Sequence, residues 1–247
     1  MTVAPTETAS AAEHRTVARV MSILECVLAS EDQGIRLGDL SAALDAPKSS
    51  VHVLAKGLIA AGYLREESGG HYFPGPAVSS LIAARPTTIK AVYHHSLVEL
   101  ATKWDETCML ASLVGDSMVY LDSVDSEAFI RATPSLNKRL SLWPRSSGKC
   151  FLAFMEPKRL DNYLRRHHPD PTSADAVRQE LAEVRKNRIG INIGQSVADH
   201  IGIAVPIVPK KLPVTLAIAI AGPKLRMQDR LEEMSESLRM TAESLPA

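Results

Sequence analysis

Apolar residues between Arg15 and Ala29 fall at Val17, Val20, Met21, Leu24, Val27 and Leu28, the spacing of one buried helical stripe. EDQG breaks that helix, and LGDLSAAL follows as a short second one with Leu37, Leu40 and Leu44 on one side. The next segment, DAPKSS, has turn composition. Pro47 suits the first turn of a third helix, where its missing N–H costs nothing, and Ser49 and Ser50 suit an early turn. Within that helix Val51, Leu54, Ala55, Leu58 and Ile59 repeat at helical spacing and would pack inward on the two preceding helices. YLREESGGHYF then predicts two short extended runs joined at Gly69 and Gly70 as a hairpin. Helix, short helix, turn, helix, hairpin is the order of a winged helix-turn-helix.

Further along, AVSSLIAAR carries Val78, Leu81 and Ile82 at helical spacing before Pro86 interrupts it, which predicts a helical connector. A helix from about Thr88 places Ile89, Val92, Leu97, Leu100 and Trp104 on or near one side, either as a dimer surface or as a core contact. TCMLASLVGDSMVYLDSV reads as two strands around a Gly-Asp-Ser turn, and FIRAT as a further short strand. IGINIGQSV, HIGIAVPIV and PVTLAIAIAG are later strands. Helices are expected near Ser147, Pro157 and Ser173, with a last amphipathic one from about Leu225. Strands and helices mingle without a βαβ rhythm, so the second part is expected to be α+β with a mainly antiparallel sheet. The expected division is a flexible arm over 1–13, a winged helix-turn-helix over 14–76, a helical linker over 77–90 and a larger domain over 91–247.

Composition narrows the classes. At 247 residues two modest domains are a better expectation than one large core. With 45% hydrophobic and 23% charged residues, wholesale disorder is excluded. No apolar run approaches the ~20 residues a bilayer span needs, and the leader MTVAPTETASAAEHR lacks the apolar centre of a secretion signal, so no membrane partner is expected. Cys26, Cys108 and Cys150 are odd in number and widely spaced, which fits a reducing cytoplasm. Net charge is zero, so any attraction to nucleic acid must be local.

A local feature exists. The outward side of the third helix presents Ser49, His52, Val53 and Lys56, with Lys48 and Ser50 at its leading end, and no carboxylate occurs between Ala46 and Leu64. Hydroxyls and cations suit phosphates and base edges in a major groove. Arg65 and His71 on the hairpin could reach the backbone beside it. Against this, residues 15–85 hold seven Lys and Arg and seven acids, and a three-helix unit with a hairpin also suits dimerisation or protein docking.

RVMSILECV, LGDLSAALDAPKSSVHVLAKGLIAAGYL and a wing ending in YFPGPAVSSL, followed in order by MVYLDSV, SSGKCFLAF and AIAIAGP, resemble the IclR-type transcriptional regulators from Arg15 to the C-terminus. The resemblance implies an effector-binding and oligomerisation domain of GAF-like or profilin-like fold. It also implies a homodimer or homotetramer on a palindromic operator of double-stranded DNA beside catabolic genes, with a small-molecule effector and no cofactor. A repressor relieved by its effector is the expectation. Val53 stands where the resemblance leads one to expect arginine, and Gly57 sits inside the recognition helix, so base preference does not transfer.

PRSSGKCFLAF begins a helix whose first amides lack internal partners, so Ser146, Ser147, Gly148 and Lys149 could hold a carboxylate. An N-cap that merely starts the helix explains the same residues. The resemblance places an effector pocket against this helix start. The resemblance also implies polar positions on the sheet opposite, as in relatives that bind small oxoacids; the matching residues here are Gly202, Ala219 and Ala221, with Asn192 near the implied acid, so the floor has become apolar. An aromatic acid or similar ring compound is therefore expected, its polar group toward Ser147 and Gly148 and its ring against Leu110, Leu113, Ile203 and Ala219.

Other chemistry is set aside. RSSGKC is not a phosphate loop, because Trp143 replaces the needed glycine and Cys150 the magnesium-binding hydroxyl. The pairs His94–His95 and His167–His168 diverge on a helix, so no metal site is expected. Cys150 reads as a small buried residue rather than an activated thiolate, and no GxSxG elbow occurs. The chain is not expected to be an enzyme; a ligand pocket that catalyses and a docking module without DNA are the alternatives.

Overall fold

A computed structural model describes residues 15–30, 33–67, 69–83, 89–209 and 213–245. The expected arm at 1–13 and the helix start at Thr88 lie outside the described residues, as do the side chains of Leu81 and Ile82. Two compact units divide at Pro86/Thr87, inside the segment 77–90 expected to be a linker.

The first unit comprises α1 (Arg15–Ala29), β1 (Ile35–Arg36), α2 (Leu37–Ala43), α3 (Lys48–Ala60), β2 (Leu64–Glu67), β3 (His71–Pro74) and α4 (Pro76–Ala83). Its antiparallel sheet runs β1-β3-β2, and the β2–β3 wing pairs Leu64 with Pro74 and Glu67 with His71. Gly69 and Gly70 adopt φ of +94° and +72°, which only glycine tolerates cheaply. Ile23, Val27, Leu40, Val51, Ala55, Leu58, Leu64 and Tyr72 form the core. On α1 the buried pair is Ile23 and Val27, while Val17, Met21 and Leu28 are about half exposed or more (60%, 50% and 49%). The apolar stripe is wider than the surface α2, α3 and β3 cover, so its far edge stays outside.

The second unit comprises α5 (Ile89–Trp104), β4 (Thr107–Val114), β5 (Ser117–Val124), β6 (Leu140–Ser141), α6 (Ser146–Ala153), α7 (Pro157–His167), α8 (Pro171–Asn187), β7 (Gly190–Ile193), β8 (His200–Ile207), β9 (Leu216–Pro223), α9 (Lys224–Met227) and α10 (Leu231–Ser244). The six-stranded antiparallel sheet has the order β6-β5-β4-β9-β8-β7. α7 and α8 start alike: the Glu156 and Asp170 carboxylates accept from Arg159 N at 3.0 Å and Ser173 N at 2.7 Å, each followed by proline.

Alternation divides the sheet. Cys108, Leu110, Ile203, Val205, Ile218 and Ile220 face a core shared with α5 and α10. Met109, Ala111, Ala204, Ala217 and Ala219 face a second core shared with α6, α7 and α8. Bulky residues fill the first face; small ones on the second let α6 lie close. Leu97, Leu100 and Trp104 of α5 belong to the first core, which favours the core-contact reading of that helix over a dimer surface for these three.

FIRAT is not a strand. Residues 129–133 form an irregular loop held by Thr107 Oγ1 donating to Ala132 O at 2.7 Å and Arg226 Nη1 donating to Ile130 O at 2.9 Å. Phe129 is 98% exposed, and on the outer edge of β5 the two-residue β6 pairs with Ser117 and Met118. The helix expected from Leu225 is interrupted: α9 passes into a 3-10 turn at Gln228–Arg230 before α10.

Candidate functional sites

In the first unit α3 starts at Lys48 with Pro47 as its N-cap. Val51, Ala55 and Leu58 anchor it inward, while Lys48, Ser49, His52, Val53 and Lys56 are exposed and Ser50 is half-buried. Val53 is 69% exposed. The wing carries the counter-charges: Lys56 pairs with Glu66 at 3.0 Å, and Arg65 pairs with Glu67 while lying over the Phe73 ring. His71 Nε2 accepts from Arg36 Nε at 3.1 Å, and His52 Nδ1 lies 3.5 Å from the Tyr72 hydroxyl. Lys48 makes no ion pair among the described residues. Thr16 and Arg19 of α1 join Ser49, Ser50, Val53 and Leu54 around a shallow cavity of about 400 Å³. The apolar stripe of α1 drew attention away from those two polar residues.

In the second unit a cavity of about 390 Å³ opens where α6 begins above the small-residue face of the sheet. Ser146, Asn192, Gly202 and Ala221 line it, as do Met109, Tyr120, Leu140, Arg145, Val197 and His200. Gly202 leaves room there: a Cβ would come to 3.0 Å from Ser146 Oγ, a tight contact. Residues 131–135 of the loop that replaces FIRAT form another wall.

The other expected pocket residues are placed differently. Leu110 and Ile203 point to the opposite side of the sheet, against α5 and α10, because they share the parity of their partners Ile218 and Ile220. Leu113 and Ala219 are on the α6 side but in packing beside the cavity. Gly148 fits the helix against the Leu142 carbonyl, where a Cβ would collide. Lys149 is 1% exposed and fully engaged: its Nζ donates to Ile191 O and Gln195 Oε1, both at 2.6 Å, and pairs with Glu180 at 2.5 Å. It holds α6 to α8 and β7 rather than facing a ligand. Asn192 spends its amide on Pro144 O at 3.0 Å and Ser196 Oγ at 2.5 Å.

The cavity walls contain two arginines and no Asp or Glu. Arg131 faces Asp125 at 3.9 Å. Burial raises the Tyr120 phenol above its ordinary range, against the pull of the Arg145 charge and the Ser147 hydroxyl. Burial likewise pushes the Cys150 thiol up to about 12, and its Sγ donates to Ala204 O at 3.3 Å, so it is no thiolate at neutral pH. No group of His, Cys, Asp and Glu among the described residues could hold a metal ion. No described helix is long and apolar enough to cross a membrane.

Sequence reasoning missed Arg145, although it directly precedes SSGK, and missed His200 and Tyr120, which lie far from that motif. A correct face assignment on β4 would have exchanged Leu110 for Met109.

Residues 16–68 match the IclR helix-turn-helix domain, and residues 82–247 match the bacterial transcriptional regulator IclR C-terminal domain. The transcriptional regulator SauR of Cupriavidus necator is 31% identical over 240 residues, covering 92% of this chain and 94% of its own. An IclR-type regulator structure from Silicibacter sp. TM1040 superposes with a TM-score of 0.75 at 28% identity, over 93% of this chain and 94% of that one. An IclR homologue of Microbacterium hydrocarbonoxydans, complexed with 4-hydroxybenzoate, shares the fold with a TM-score of 0.70 at 23% identity, over 92% of this chain and 95% of that one.

Proposed function

This chain belongs to the IclR family of bacterial transcriptional regulators, and from that premise we propose that it represses a catabolic operon until a small aromatic or carboxylic acid fills the cavity of its second unit. Membership makes it a DNA-binding regulator with an effector-binding domain, not an enzyme. The DNA and cavity residues are argued from this chain's own side chains, whereas the repressor sign, the catabolic operon and the oligomer follow from the family. Residues 14–76 read DNA, 77–90 link, and 91–247 bind effector and oligomerise as a homodimer or homotetramer in the cytoplasm. The relative complexed with 4-hydroxybenzoate accords with an aromatic acid.

One observation carries the DNA reading: the acid-free side of α3 is exposed while its aliphatic side anchors it. Lys48, Ser49, Ser50, His52, Val53 and Lys56 then enter a major groove, and Arg65 and His71 reach the adjoining phosphates. In the cavity Ser146, Asn192, Gly202 and Ala221 meet the effector.

The test is a mobility-shift titration against DNA flanking the protein's own gene, repeated between 50 and 200 mM salt as a roughly chosen range. Lys48→Ala and Lys56→Ala should each reduce the slope of log affinity against log salt by about one. Unchanged slopes in both variants reject this face as the DNA contact.

A further inference from the structure

Two enclosed side-chain polar atoms among the described residues, Arg145 Nε and His200 Nδ1, have no hydrogen-bond partner, whereas the Ser147 hydroxyl lies against the Tyr120 phenol. Such atoms are rare in folded proteins and call for an explanation when they cluster. Arg145 and His200 line the same cavity. Arg145 is half-buried and its guanidinium cannot lose its proton, so the enclosed Nε calls for an acceptor. No described carboxylate pairs with Arg145, and none lines the cavity.

The other cations nearby are already used. Lys149 is saturated by Ile191, Gln195 and Glu180. Arg131 faces Asp125 and donates Nη1 to Ala128 O at 3.2 Å. Arg145 is therefore the cavity-lining cation without an ion pair among the described residues, in a lining where Met109, Leu140, Val197 and Ala221 supply apolar surface beside Thr133, Ser135 and Ser196. A volume of about 390 Å³ sits near the lower end of small-molecule sites, which suits a single ring.

We propose that Arg145 is the acid-reading residue of this cavity, which takes a monoanionic organic acid of about one ring, with His200 meeting a second polar atom of the ligand. The proposal rests on the effector reading of the second unit and is independent of how α3 meets DNA.

Calorimetry on the full chain with benzoate, 4-hydroxybenzoate, phenylacetate and pyruvate, each beside its primary amide, tests it. At least one ring acid should bind, and its amide should bind at least roughly tenfold more weakly, a factor in the range expected for a charge-assisted contact. Arg145→Gln should abolish the difference between acid and amide, and His200→Ala should weaken 4-hydroxybenzoate more than benzoate. Without ligand, Arg145→Met should melt no lower than the wild type, because the guanidinium has no protein partner to lose. A markedly lower melting temperature for Arg145→Met, equal binding of acid and amide, or no binding by any acid of the panel overturns the proposal. Mobility shifts on the same samples separate the two readings: acid binding without DNA binding removes the regulator reading of α3 and leaves this one intact.

Discussion

Replacing Lys149 by methionine asks whether this residue serves the fold or the ligand. Its side chain is 1% exposed and its Nζ holds Ile191 O and Gln195 Oε1 at 2.6 Å and Glu180 Oε1 at 2.5 Å, 5.1 Å from the Trp143 ring. Methionine preserves the length and the apolar stem while removing all three polar contacts. Breaking a buried ion pair costs about 3–5 kcal/mol. Glu180 is 37% exposed and regains water when its partner leaves, which places the loss near the lower end, about 3 kcal/mol. At roughly 2–4 °C per kcal/mol for a unit of this size, the second unit should melt about 6–12 °C lower. Thermal unfolding followed by circular dichroism measures this, with Glu180→Gln as a control that should lose less. If Lys149→Met melts within about 1 °C of the wild type, the structural role assigned here is wrong and the ligand role returns.

Two further outcomes follow from the same helix and its neighbours. Gly148→Ala drives a Cβ into the Leu142 carbonyl, so it should destabilise the second unit by at least about 1–3 kcal/mol in a denaturant titration; wild-type stability would show that α6 is not pinned there. Burial raises all three thiols, that of Cys150 from 9.0 to about 12, but only Cys26 is half-buried rather than enclosed, so iodoacetamide at pH 8 should modify Cys26 alone until the protein is unfolded, as peptide mass analysis would reveal. Because the folded-state value of Cys150 lies above the unfolded one, its contribution to stability is complete below about pH 9 and is lost as pH climbs toward 12. Rapid labelling of Cys150 in the native state at pH 8 contradicts that burial.

Much of the architecture was written locally. Prolines after Glu156 and Asp170, glycines at 69 and 70, and helical spacing through α3 each act over a few residues, so the winged helix-turn-helix and most later elements could be placed before any coordinates. FIRAT is an irregular loop because its backbone carbonyls are taken by the Thr107 and Arg226 side chains rather than by a strand partner.

The site itself needed the tertiary structure. Alternation along β4 and β8 distinguishes two faces but does not say which one α6 covers, and so Leu110 and Ile203 were assigned to the cavity although Met109 and Gly202 occupy it. The roles of the two cations flanking SSG were likewise undecided by sequence. Lys149 finds acceptors 42 and 46 residues away, whereas Arg145, four positions earlier, finds none for its Nε. Local patterns set which elements form, because their causes lie within a turn or two; which charge is left for a ligand depends on what distant segments bring beside it.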